Sequence, residues 1–289
     1  MKTIKLERDF MFAAVFSGED TMPIAHLLSD YLGEDYEYLK DNIKLISRKL
    51  DYKKKRTARL EVDLLVKHKE TGDYENIEIN TTFDTLRINR NLAFLANIYA
   101  TNYPHRAYDP KVHKPFVRQI NFSKKVPASI NNKLINEAFM TIKGTDKILT
   151  EKFEYDIVDM EKIDNPSYNY ANEREEKVAR WCKILKSSSS DEIEKELKKI
   201  MSKQDANTIV DKVKELSEDS EMISLNDEYD KVELEKAGER NLGREEGIEQ
   251  GIEQNKVETA KKMLDKEFNI KTISEITGLS EEEISNLKS

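Results

Sequence analysis

Between Arg59 and Phe83 the chain runs RLEVDLLVKHKETGDYENIEINTTF, two stretches of alternating apolar residues divided by Thr71-Gly72. Period-two alternation on both sides of a glycine turn predicts an antiparallel hairpin and fixes which side chains share a face. A two-residue loop at Thr71-Gly72 pairs Glu70 with Asp73, Leu65 with Glu78 and Asp63 with Asn80. Val62, Leu64, Val66, Ile77 and Ile79 then lie on one side of the sheet, and Asp63, Glu78 and Asn80 on the other. Two carboxylates brought together on a sheet face repel unless a cation or a proton lies between them, and a divalent metal with oxygen ligands is the usual resolution. On spacing alone, solvated acids on the exposed face of a hairpin are the commoner explanation. The rest of the chain has to shift that balance.

The strongest charge bias lies just upstream. From Lys40 to Arg59 the basic residues are Lys40, Lys44, Arg48, Lys49, Lys53, Lys54, Lys55, Arg56 and Arg59, opposed by Asp41 and Asp51, in a chain of net charge -8. Ile43 to Leu50 reads as a strand, and the tip Lys53-Lys54-Lys55-Arg56 feeds into the strand bearing Asp63. A solvated tip would suffice to explain the cluster, but beside two carboxylates it suits a phosphate backbone, whose counterions it would release. Downstream, Asp84 to Tyr103 is an amphipathic helix with Ile88, Leu92, Leu95 and Tyr99 as its buried stripe. Arg87, Arg90 and Asn91 fall off that stripe, near the helix start, where they either meet a phosphate or face solvent.

Other segments supply the frame. Glu7 to Phe16 is helical, with Asp9 near its start as a cap, and a second helix follows Pro23 and ends at Gly33. Phe116 to Phe122 is a strand, and Phe153 to Met160 alternates as an edge strand. These elements predict an α/β core with a mixed sheet flanked by helices. Beyond Pro166 the strand signal ends and charged helices follow: Ala171 to Leu185, Asp191 to Met201 and Ala206 to Leu216. Gly243, Gly247 and Gly251 recur four apart in GREEGIEQGIEQ. Glycine inside a helix costs about 1 kcal/mol against alanine, so the repeat suggests either a close helix neighbour, hence self-association, or a frayed linker. The end, IKTISEITGLSEEEISNLKS, reads as a small helix-turn-helix with Gly278 at the turn and Ser280 as cap. Its Glu281 to Glu283 favour packing over reading DNA. The division expected is 1-165, 166-235 and 236-289.

No apolar run approaches a membrane span, the N-terminus lacks a signal-peptide core, and a lone Cys182 excludes an internal disulfide, so a cytoplasmic setting is expected. His26, His68, His105 and His113 lack metal-ligand spacing and read as structural or surface residues.

Taken in order, ERDFMFAAVF, RLEVDLLVKHKETGDYENIEIN, INRNLAFLANIYA, RQINF, GREEGIEQ and ISEITGLSEEEI resemble the Rpn-type recombination-promoting nuclease, or putative transposase, family of the PD-(D/E)XK nuclease superfamily. The resemblance implies a restriction-endonuclease-like core, followed by an all-helical C-terminal region, that cuts DNA with Mg2+ or Mn2+. It implies Asp63 and Glu78 as metal ligands, Asn80 at the position that is lysine across much of the superfamily and often glutamine in this family, and Asp9 at an N-terminal acidic position. Lys53, Lys54, Lys55, Arg56, Arg87 and Arg90 would then hold the DNA backbone. A low-specificity endonuclease acting in recombination, transposition or phage defence, self-associating through its C-terminal helices, is the expectation. Because Asn80 carries no charge, a catalytically degenerate DNA-binding or oligomeric partner stands beside it.

Overall fold

The computed structural model describes residues 1–46, 64–80, 83, 85–104, 112–130 and 133–287. Among these, a mixed sheet runs in the order β1-β2-β3-β4-β6-β5, from Ile43–Leu45 (β1), Leu64–His68 (β2), Tyr74–Asn80 (β3), Val117–Ser123 (β4), Ile135–Thr141 (β5) and Ile148–Asp159 (β6). β2 is antiparallel to both β1 and β3, β3 to β4 and β4 to β6 are parallel, and β5 returns antiparallel to β6. Parallel neighbours need a crossover, which helix α4 (Thr85–Asn102) supplies between β3 and β4.

The hairpin of β2 and β3 forms as expected, but Leu65 faces Asn76 rather than Glu78, a register two residues away from the expected one. The turn is longer: His68 N–H donates to Asp73 O at 2.9 Å, Gly72 N–H donates to His68 O at 3.0 Å, and Gly72 takes φ 76°. Only glycine adopts that left-handed conformation without strain. A slip of two preserves every face because the side-chain period is two. Leu64, Val66 and Ile77 accordingly stay buried on one side, and Glu78 and Asn80 stay together on the other.

Further expectations are corrected. β6 is an interior strand, and the edge is β5, whose sequence INEAFMT alternates too weakly to be read as a strand. On α4, Leu92 is 46% exposed while Asn91 is buried with Leu95 and Ile98. The buried stripe is thus rotated towards Asn91, because the sheet face beneath offers polar partners there. Asp9 does not cap helix α1 (Asp9–Phe16) from outside; it is the first helical residue, and its Oδ1 accepts from Phe10 N–H at 2.9 Å.

Helix α2 (Met22–Leu32) covers the sheet face opposite α4 and ends, as expected, at Gly33 in the left-handed region. A short α3 (Tyr36–Asn42) leads into β1. Helices α5 (Glu173–Lys186), α6 (Ser190–Leu197) and α7 (Lys203–Glu218) pack in sequence, α5 on α2 and α7 on α1. The buried Trp181 sits edge-on to Phe16 and donates its indole N–H to Asp30 at 2.8 Å. The chain divides into two compact units, Met1–Asn226 and Asp227–Ser289. The second holds most of α8 (Ser220–Asp265) with α9 (Ile270–Thr277) and α10 (Glu281–Asn286). Ala260, Ile273, Leu279 and Ile284 form its core, Gly278 makes the turn at φ 73°, and Ser280 with Glu283 closes a capping box.

On the α2 side the sheet buries charge. Arg118 lies 2.8 Å from Glu154, 3.6 Å from Asp156 and 3.9 Å from Glu75, and His68 meets Glu75 at 2.5 Å. Tyr31 donates its hydroxyl to Asp156 at 2.8 Å. Burial first, and the negative charge of Glu154 second, hold the Asp156 carboxyl well above its ordinary value of 3.8. The folded state therefore keeps a proton that the unfolded state releases, and stability falls as pH rises above about 4. Asp156→Asn removes this penalty. In urea unfolding compared at pH 5 and pH 8, the variant should lose less stability between the two than the wild type does.

Candidate active site

The site is built at the exit of β3. Parallel pairing sets Glu78 beside Asn121 and Asn80 beside Ser123, so the last turns of β3 and β4 present polar side chains to one face. Helix α4 crosses that face. Its packing is apolar at the far end, where Leu95 and Ile98 meet Tyr74 and Val117. At the near end it is polar: Asn91 Nδ2 donates to Glu78 Oε2 at 2.5 Å and to Asn121 Oδ1 at 3.0 Å. Arg90 reaches Glu78 Oε1 at 3.4 Å, and Arg87 donates to Asn80 Oδ1.

Asn121 ties these groups together. Its Oδ1 also accepts from Gln119 at 3.2 Å and from Asn80 Nδ2 at 3.4 Å, while its own Nδ2 donates to Asp156 O at 2.9 Å. Gln119 in turn accepts from Asn76 at 2.8 Å. Glu78, Asn80, Asn91, Gln119 and Asn121 are all buried, so each bond replaces water that the group has lost. The Tyr155 hydroxyl lies near the amides of Asn91 and Asn121. Burial and then the nearby charge of Glu78 push its hydroxyl up to about 12, so it remains a proton donor at neutral pH.

Helix α1 packs on β3 and brings Asp9 to the same end. Burial raises the Asp9 carboxyl above its usual range, against the opposing pull of the Phe10 N–H and the Arg87 charge. Glu7 is buried, with Lys124 Nζ at 2.7 Å from Oε1 and no hydrogen-bond partner for Oε2 among the described residues. The Lys124 N–H donates to Asn80 O at 3.1 Å.

Of the residues singled out from sequence, Glu78, Asn80, Arg87, Arg90 and Asp9 therefore converge. Asp63 and the tip Lys53, Lys54, Lys55 and Arg56 lie outside the described residues. Among the histidines, His26 stacks on Tyr36 and meets Asp205 at 3.2 Å, His68 joins the buried charges, and His113 pairs with Asp73 at 2.9 Å. His105 lies outside the described residues. A cleft of about 480 Å3 opens at the opposite end of β3, lined by His68, Asp73, Glu75 and Arg118 among others, away from Glu78 and Asn80.

Asn121, Gln119 and Tyr155 were not foreseen, and Asn91, expected near the helix start to meet a phosphate or face solvent, turns inwards onto Glu78 instead. A signal existed: Gln119, Asn121 and Ser123 alternate on β4 as Asn76, Glu78 and Asn80 do on β3, and two polar faces of equal period invite pairing. The Glu78 carboxylate offers hard oxygen ligands, which suit Mg2+ or Mn2+ rather than a soft metal, while the side chains that touch it are N–H donors. Among the described residues alone, no group of His, Cys, Asp and Glu completes a metal site.

Residues 6–237 match the family model described as PD-(D/E)XK nuclease family transposase. Residues 253–289 match that of the Rpn/YhgA-like nuclease family C-terminal HTH domain. No curated protein and no solved structure matches the chain. Among the described residues no helix is long and apolar enough to cross a membrane.

Because the Asn121 carbonyl accepts from three buried amides, Asn121→Ala should strand their donors and cost about 2 to 4 kcal/mol. Denaturant unfolding measures it.

Proposed function

The chain belongs to the PD-(D/E)XK nuclease family transposases, and on that premise we propose that it is a metal-dependent DNA endonuclease of low sequence specificity. The observation that carries the reading is the buried Glu78 carboxylate, flanked by two arginines at the exit of β3. Glu78 with Asp63 would hold one or two Mg2+ or Mn2+ ions. When bound, the ion supplies Lewis-acid polarisation of the scissile phosphate and a lowered pKa for the attacking water.

In the hydrolysis a P–O bond forms to water and the P–O bond to the leaving sugar oxygen breaks. One water proton ends on that oxygen and the other in solvent. Asn91 orients Glu78 by occupying one of its oxygens, which keeps the carboxylate in a single rotamer. Arg90, with a side chain 52% exposed, is free to swing from Glu78 to a phosphate oxygen, and the cluster Lys53 to Arg56 would follow the backbone. Contacts to phosphate carry no base information, so cleavage should be weakly sequence-selective.

The C-terminal unit serves assembly in this reading. Gly243, Gly247 and Gly251 face open space, and Ile248 and Ile252 are more than half exposed at 53% and 54%. A second α8 laid antiparallel sets Arg240 against Glu253 and Arg244 against Glu249, a complementarity that favours another copy of this chain as the partner.

One observation favours a second reading, a DNA-binding or oligomeric partner without catalysis. Asn80 is neutral, and Glu78 is already bonded by Asn91 and Arg90. Calorimetric titration with Mg2+ or Mn2+ separates the two, since an inert site gives no binding that depends on Glu78.

Plasmid cleavage with Mg2+ or Mn2+ is expected for the wild type, with at least about 100-fold loss in Asp63→Ala and in Glu78→Ala. Activity unchanged in both variants rejects the site. For assembly, the mass in solution should fall to that of a monomer when the residues after Gly238 are deleted.

A further inference from the structure

The third motif position poses an electrostatic problem that the strand itself does not solve. Asn80 lies two residues beyond Glu78 on β3, on the same face, and its short neutral amide brings no positive charge to a reacting phosphate. Nor is that amide idle. Its oxygen accepts from Arg87 and its nitrogen donates to Asn121 at 3.4 Å, so both ends are engaged within the protein. The amide hydrogen and lone pair left over could hold a water, but neither carries charge.

We propose that Arg87, reaching in from the first turn of α4, supplies at this site the positive charge that the strand position lacks, acting on the phosphate that reacts beside Glu78. The inference rests on the nuclease reading. Its guanidinium stands one hydrogen bond beyond the Asn80 amide oxygen, on the side chain of the strand position itself. Asn80 is then an orienting partner, a carbonyl that holds the guanidinium.

Arg87 and Arg90 differ in ways that separate their tasks. Arg90 is a half-exposed cation on the metal-ligand candidate itself, suited to neutralising Glu78 before substrate arrives. Arg87 is half-buried, tied to Asn80, and close enough to Asp9 for its charge to oppose the upward shift of that carboxyl. A cation fixed on both sides costs little reorganisation when negative charge builds on the phosphate, the condition under which such groups contribute most. Arginine keeps its proton at any working pH, so Arg87 stabilises charge and takes no proton from the attacking water.

The experiment compares Arg87→Gln, Arg87→Lys and the double variant Asn80→Lys/Arg87→Gln for plasmid cleavage in Mg2+ or Mn2+, and for binding of a labelled duplex in Ca2+. Glutamine keeps a hydrogen-bond donor to Asn80 and removes the charge; lysine keeps the charge. Thermal melts check that each variant is folded. The expected result is at least about 100-fold loss of cleavage in Arg87→Gln, with duplex affinity within about threefold of wild type. Arg87→Lys should stay within about tenfold of wild type, and Asn80→Lys should restore at least about tenfold to Arg87→Gln. Cleavage by Arg87→Gln within about threefold of wild type overturns the inference. A loss matched by an equal loss of duplex affinity also overturns it, and makes Arg87 a backbone clamp only. Absence of wild-type cleavage with either metal overturns the nuclease reading itself, and the inference with it.

Discussion

The parallel pairing of β3 with β4 is buried on both faces, and both faces carry polar side chains. Such a pair would ordinarily be a run of valine and isoleucine. Here Ile77, Ile79, Ile120 and Phe122 supply only part of it, and every remaining polar group needs a partner inside the protein. The two faces meet this need differently. On the α2 side, Arg118 gathers three carboxyl groups and Tyr31 adds a hydroxyl, with Asp156 holding a proton because burial and then the charge of Glu154 disfavour its ionised form. On the α4 side the solution is neutral amides, with Asn121 as the common acceptor. A side-chain-to-backbone bond links the two, since the Asn121 side-chain amide donates to the Asp156 backbone carbonyl.

This arrangement accounts for the position of helix α4. A helix packed over an apolar sheet can slide or rotate at small cost, because dispersion contacts carry no direction. Asn91 removes that freedom by bonding Glu78 and Asn121 at once. With Asn91 fixed, Arg87 one turn before it and Arg90 beside it are aimed at Asn80 and Glu78. The cations are therefore delivered by the helix, and the carboxylate by the strand.

How much of this was legible in the sequence depends on the range of each interaction. The hairpin face bearing Glu78 and Asn80 followed from period-two alternation, and survived a register error of two because that error preserves faces. The stops at Gly33 and Gly278 and the cap at Ser280 were readable because they are local, each set by the conformation of one residue. Leu92 misled because a hydrophobic stripe assumes an apolar partner; the sheet beneath offers Glu78 and Asn121, so Asn91 turned inwards instead. β5 was missed because its outer half is exposed on both faces and gives no alternation to detect.

The sequence by itself determined the class of the fold, the face on which Glu78 and Asn80 stand, and the local ends of its helices. These follow from backbone periodicity and single-residue conformational preference, which neighbouring residues suffice to express. Only the tertiary structure decided which polar groups meet. Asn91 with Glu78, Arg87 with Asn80, Arg118 with Glu154 and Asn121 with three amides all join residues distant in the chain. Hydrogen bonds and ion pairs between buried groups are directional and short-ranged, so their partners are fixed by how the crossover helix lies on the sheet, which no periodicity along the chain encodes.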